Sequence, residues 1–192
     1  MIEIFFSYAH ADEQLMNEVR RQLIIHERNG RIVKWYDRQI PPGDEWRTQI
    51  DARLNRAQVI LLFVSPHFIE SKYCYEIEGK RALARHRQRS ARVVPVILRP
   101  CAWHDAPFSN LQALPRNAKP ISQWDDIDVA SLPVANGVMK VVEELTSNRA
   151  TRSRDGTFKN LSDSSKVSTS MRRPKRIRLA TVMMQSGNLQ KM

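Results

Sequence analysis

Val59-Ile60-Leu61-Leu62-Phe63-Val64 is an unbroken apolar run, entered from Ala57-Gln58 and left through Ser65-Pro66. Alternation of apolar and polar residues would mark a strand with one wet face. An unbroken run fits a strand buried on both faces, the habit of parallel sheets. The flanking sequence should then alternate strand and helix, and it does. Towards the N-terminus, residues 2–6 (Ile-Glu-Ile-Phe-Phe) read as a first strand. Asp12 can cap a helix to about residue 26, with Leu15, Met16, Val19, Leu23 and Ile24 at helical spacing. Residues 32–36 form a second, weaker strand, after which Pro41-Pro42-Gly43 impose a loop and Asp44 opens a helix carrying Trp46, Ile50 and Leu54 inward. Towards the C-terminus, Ser71 caps a helix to about residue 87, with Cys74, Ile77 and Ala84 inward. Residues 93–98 are a second apolar run, in which Pro95 favours an edge position. A short final strand within 118–124 and a helix over about 134–145 complete the pattern. The expected fold is α/β: a five-stranded, mostly parallel, doubly wound (flavodoxin-like) sheet with right-handed crossovers. Ligands of such sheets bind at the carboxyl ends of the strands, which gathers residues 7–10, 37–44 and 65–71 around one candidate site.

The 192 residues suit one domain with an appendage, and their charge is unevenly placed. Residues 1–148 hold 20 basic against 18 acidic side chains, a net of +2. Residues 149–192 hold 11 against two, a net of +9. The pattern thus predicts a near-neutral domain over 1–148 and a basic, disordered tail over 149–192, poor in large apolar residues through 151–170. The basic cluster at 172–178 suits an anionic partner, nucleic acid or membrane surface, or a nuclear address; the plainer reading is a solvated linker. No apolar run approaches the roughly 20 residues of a membrane span, and residues 1–6 lack the basic flank of a signal peptide. With only Cys74 and Cys101 present, a disulfide framework is excluded and a cytoplasmic location is expected.

Several segments, in order, resemble the TIR (Toll/interleukin-1 receptor homology) family in its bacterial branch. Ile4-Phe5-Phe6-Ser7-Tyr8-Ala9-His10-Ala11-Asp12 is similar to the family's first box. Trp35-Tyr36-Asp37-Arg38-Gln39-Ile40-Pro41-Pro42-Gly43-Asp44-Glu45-Trp46 is similar to the loop after its second strand. Ser65-Pro66-His67-Phe68-Ile69-Glu70-Ser71, with Tyr73-Cys74-Tyr75-Glu76-Ile77-Glu78, resembles its third-strand exit and following helix. Residues 93–103 and 111–115 resemble the downstream segments, so the likeness covers about 2–145. The resemblance implies a TIR-type fold and two functions of different class. Some members cleave NAD at the nicotinamide–ribose bond; others are non-enzymatic adaptor modules that bind other TIR domains or self-associate.

For the enzyme, the resemblance implies an acting carboxylate in the helix after the third strand, with NAD as substrate and no cofactor. Glu76 and Glu78 compete for that role. The spacing forward from Ser65 favours neither, whereas the family's placement of Glu four residues before Ala82-Leu83 favours Glu78. Glu78 also lies i+4 from Cys74, on one helical face. The plain alternative is that both glutamates are solvated charges offsetting Lys80 and Arg81. Tyr8, Arg38, Trp46 and Ser71 are the further candidate NAD contacts, each with an ordinary structural role beside it: packing, a loop charge, a core anchor and an N-cap. The loop from Asp37 to Glu45 is the expected assembly surface. Cys101, His104 and Asp105 lack a second ligand pair, so no metal site is expected. Neither a Gly-x-Ser-x-Gly elbow nor a phosphate-binding P-loop occurs, which removes the usual signatures of serine and nucleoside triphosphate hydrolysis.

Overall fold

The computed structural model describes the backbone of residues 1–163 and the side chains of residues 1–151. Four parallel strands stand in the order β2-β1-β3-β4: β1 Ile2–Ser7, β2 Ile32–Trp35, β3 Val59–Val64 and β4 Arg92–Ile97. Every residue of the central run in β3 is fully buried. Its register pairs Val59 with Arg92 and Val64 with Ile97 on one side, and Ile60 with Phe5 on the other.

The buried faces of β3 explain the layering. Val59, Leu61 and Phe63 pack with Ile4 and Phe6 against α1 (Glu13–Gln22) and α6 (Ile127–Asp163), through Met16, Val19, Val134 and Val138. Ile60, Leu62 and Val64 pack on the opposite face against α3 (Trp46–Arg56) and α5 (Lys80–Arg87), through Ile50, Leu54, Ala82 and Leu83. Between these, α2 (Ile24–Arg28) follows α1 after a break at Leu23, where one continuous helix is expected, and α4 (Pro66–Glu70) follows β3.

The expected fifth strand is reduced to a single bridge. Leu114 pairs with Val96, its N–H donating to Pro95 O at 2.8 Å and its carbonyl accepting from Ile97 N at 2.8 Å. Pro95 therefore turns its missing N–H outward, to the side where a fifth strand would need it, and the ladder cannot extend. Residues 118–124 hold a short 3-10 turn at Ile121–Gln123 instead of a strand.

Three further details depart from the sequence reading. Asp12 does not cap α1; it is fully buried and binds Ser65 and Arg99. Asp44 lies ahead of the start of α3 and accepts from Gln49 Nε2 at 3.0 Å. The last helix starts at Ile127, holds Pro133 inside, and continues to Asp163 rather than closing near residue 145. Nothing between residues 134 and 163 is a proline, so no ring forces the helix to stop. Of the segment expected to be disordered, 149–163 is helical, and the remainder, with the basic cluster at 172–178, lies outside the described residues.

Candidate functional site at the carboxyl edge of the sheet

Ser65 ends β3 and turns the chain. Its Oγ accepts from Phe68 N at 3.0 Å and caps α4. Ser71 repeats the device one element later, accepting from Cys74 N at 3.2 Å. The segment it caps, Lys72–Gly79, is a π-helix that passes into α5 at Lys80. A wide π turn is uncommon, and such turns concentrate at functional sites because they re-aim side chains. Here the turn carries Tyr73, Cys74 and Glu78 to one cleft and leaves Glu76 outside it.

The cleft has a volume of about 270 Å³ and lies at the carboxyl ends of β1 and β2. Its polar floor is Glu78, only 5% exposed, which accepts a hydrogen bond from Ser7 Oγ at the end of β1. Burial raises the Glu78 carboxyl to about 8, the charges of Asp37 and Asp51 add to the rise, and the Ser7 hydroxyl opposes it. Cys74 beside it donates from Sγ to Tyr8 O at 3.3 Å, and burial with the nearby Glu78 charge pushes its thiol up to about 11. A thiol so shifted is a packing group rather than a nucleophile.

Aromatic rings form the walls. Trp46, the first residue of α3, packs on Tyr73 with centroids 4.4 Å apart and the rings tilted by 46°, while remaining 39% exposed. It therefore covers the cleft mouth; an anchor in the core would be buried. The Tyr73 hydroxyl, raised to about 12 chiefly by burial, has no hydrogen-bond partner among the described residues. Tyr8 donates to Asp37 Oδ1 at 2.5 Å, and His10 binds the other oxygen of the same carboxylate. Burial and Asp37 both raise the Tyr8 hydroxyl well above its usual value.

Of the sequence candidates, Glu78, Tyr8, Trp46 and Ser71 line this cleft. Two lie elsewhere. Glu76 is exposed and 4.0 Å from Lys80, the pairing of a solvated helix charge. Arg38 is turned to Glu13, with Nη2 2.8 Å from its Oε2, and does not line the cleft. Asp37 and Tyr73 were not among the candidates. Asp37 is legible in the sequence as part of the 37–44 segment that the strand-end rule brings to the site, though not as a side chain of the cleft, and Tyr73 carries no signal for it. Among the described residues, no group of three His, Cys, Asp or Glu side chains is close enough to hold a metal ion.

Comparison with known proteins gives this edge a family. A TIR domain family model matches residues 4–130, which includes the strand ends, the loop and the π-helix. The chain is a TIR domain. TIR domains are signal-transduction modules, and they typically interact with other TIR domains. The uncharacterised protein y4lF of Sinorhizobium fredii (strain NBRC 101917 / NGR234) is 48% identical over 146 residues, covering 76% of this chain and 45% of that protein. The chain thus spans less than half the length of that curated relative. The crystal structure of the TIR domain of the Toll-related receptor TRR-2 from Hydra magnipapillata superposes with a TM-score of 0.51, at 18% identity. It covers 74% of this chain and 99% of that one, a likeness of fold. No helix of the TIR chain is long and apolar enough to cross a membrane among the described residues.

Proposed function

We propose that this TIR domain cleaves NAD at the nicotinamide–ribose bond, with Glu78 as the acting carboxylate, and that it does so when assembled. The observation that carries the reading is a single buried carboxylate at the floor of an aromatic-walled cleft, hydrogen-bonded to Ser7 and faced by Trp46 and Tyr73. In the proposed reaction the C1′–N bond breaks and its electron pair leaves with the ring, giving neutral nicotinamide, so no general acid is needed. Positive charge sits on the bound pyridinium and develops at the ribose. Facing that cation in the substrate complex, Glu78 gives up its proton, and the carboxylate stabilises the charge and holds a ribose hydroxyl. Water then bonds to C1′ and releases a proton. Trp46 and Tyr8 supply faces for the nicotinamide ring, and Ser71 lines the same cleft. The Tyr73 hydroxyl, buried and without a partner among the described residues, would turn to the sugar once the cleft widens. Arg38 takes no part while it is bound to Glu13.

Assembly gating follows from size. The cleft, at about 270 Å³, falls just below the roughly 300–1,000 Å³ of small-molecule sites, so it suits the nicotinamide riboside end of a dinucleotide rather than the whole. Asp37, tied to Tyr8 and His10, is part of the same wall and starts the loop that carries the exposed Pro41 and Pro42. Docking of that loop on a second TIR domain would move Asp37 and widen the cleft. The same tethers favour the second reading, a TIR interaction module without turnover, in which the loop transmits a signal and the cleft stays closed. Nicotinamide release by purified protein, at low concentration and again at high concentration, separates the two. Release that rises steeply with concentration and is lost in Glu78→Ala but kept in Glu76→Ala is expected. Loss only in Glu76→Ala would move the carboxylate, and no release from folded, associated protein would leave the interaction module.

A further inference from the structure

A second recess, of about 880 Å³, opens where β3 and β4 begin, at the end of the sheet opposite the cleft. The turn from α5 into β4 and the part of α6 around Leu145 to Thr151 form its walls. Its charge is one-sided. Arg87, Arg89, Arg92 and Arg149 line it, and among the described residues no Asp or Glu does. Among the described residues, only Arg92 of these four has a carboxylate within ion-pair reach, Glu144 at 3.7 Å. Other described arginines do have carboxylate partners, as Arg21 has Glu18, Arg31 Glu143, Arg38 Glu13 and Arg81 Asp51, while among the described residues Arg20, Arg28, Arg47, Arg85 and Arg116 have none. What sets the recess apart is that Arg87, Arg89 and Arg149, all without one among the described residues, line the same cavity. Four guanidinium groups around one recess repel one another, and an anion between them reverses the sign of that interaction.

The remaining lining tells which anion. His86 Nδ1 accepts the Val93 N–H at 3.1 Å, so the neutral ring carries its proton on Nε2 and adds a donor. The Gln58 side chain is already committed, accepting from Glu3 N at 2.8 Å and donating to Arg56 O at 2.7 Å. Among the described residues no aromatic ring lines the recess, so they offer a nucleobase nothing to stack on. The apolar lining is Ala91 and Leu145, too little to enter a bilayer. The volume far exceeds one phosphate group, and planar guanidinium forks bind phosphate oxygens in pairs. We infer that this recess binds a small soluble polyphosphate anion, gripped by Arg87, Arg89, Arg92 and Arg149. The site is separate from the cleft, so its fate does not depend on NAD cleavage.

The test is calorimetric titration of the full chain with inorganic tripolyphosphate. Three proteins are compared: the parent, Arg87→Gln/Arg89→Gln, and the tail variant Lys175→Gln/Arg176→Gln. Arg87 and Arg89 are exposed, and glutamine at residue 89 meets the same positive φ of 57° as the arginine it replaces, so the fold should be kept; thermal melting without ligand verifies it. Binding by the parent, weakened about tenfold or more in the recess variant and unchanged in the tail variant, is expected. Absence of binding by the parent would overturn the inference. So would loss in the tail variant alone. A single-stranded oligonucleotide or phosphatidylserine vesicles bound more tightly through the same arginines would replace the small anion with a macromolecular one.

Discussion

Glu78 is a carboxyl group held where its charge is disfavoured. Its folded value of about 8 stands above the ordinary 4.5, mainly through burial. Between those values the folded chain keeps a proton that the unfolded chain has released. Stability is therefore lost as pH rises from about 4.5 to about 8, by an amount of the order of a few kcal/mol. Glutamine is nearly the same shape and cannot titrate. Glu78→Gln should melt at nearly the parent's temperature at pH 4.5 and increasingly above it towards pH 8, with the gap flat beyond. Groups that titrate in both proteins cancel from the difference. Melting curves that stay parallel from pH 4.5 to pH 8 would show that the carboxyl ionises freely in the fold.

At the scale of elements, one buried cluster holds the upper edge of the sheet together. Asp12 follows the exit of β1, Ser65 the exit of β3, and Arg99 the exit of β4. Arg99 Nε donates to Asp12 Oδ1 at 2.6 Å, and Ser65 Oγ donates to the other oxygen. Asp12 is fully buried while the Arg99 side chain is 38% exposed. The asymmetry decides which deletion is worse. Arg99→Met leaves a carboxylate in the interior with one hydroxyl, which costs about 3–5 kcal/mol. Adding Asp12→Asn should recover a large part, since no unpaired charge remains. Urea unfolding of the single and double variants measures this, and a double variant as unstable as the sum of the singles would mean that the two side chains are uncoupled.

For the whole molecule, the assembly proposed above would join TIR domains through the loop between β2 and α3. Gly43 sits there at a φ of +96°, and no atom lies within 4 Å of where a Cβ would be. A β-branched residue is strained at that dihedral by roughly 1–3 kcal/mol, and an exposed loop relieves such strain by changing shape. Gly43→Val should thus leave the melting temperature within a few degrees of the parent and abolish concentration-dependent association in sedimentation velocity. Association that persists unchanged would remove this loop from the interface.

What could be read without coordinates was whatever depends on neighbours along the chain. The two-sided burial of residues 59–64, the loop at Pro41-Pro42-Gly43 and the cap at Ser71 follow from side-chain apolarity, ring constraint and local hydrogen bonding. The ordered motifs were sufficient for the family. Contacts between distant residues were not legible in this way. Pro95 hinted at an edge, but only its outward-facing nitrogen beside Leu114 explains why the sheet stops at four strands. Asp12 has the composition of a cap, yet Arg99, 87 positions away, takes its carboxylate. Glu76 and Glu78 are the same residue type two positions apart, on opposite sides of any helix, and only the packing of that helix against β1 decides which of them meets Ser7. Three of the four arginines of the basic recess fall in the basic stretch 80–92, but the fourth, Arg149, is more than fifty residues further on, so the stretch by itself does not announce a recess. Local chemistry sets the elements of this TIR domain, and long-range packing decides which side chains share a low-dielectric space and so acquire altered chemistry.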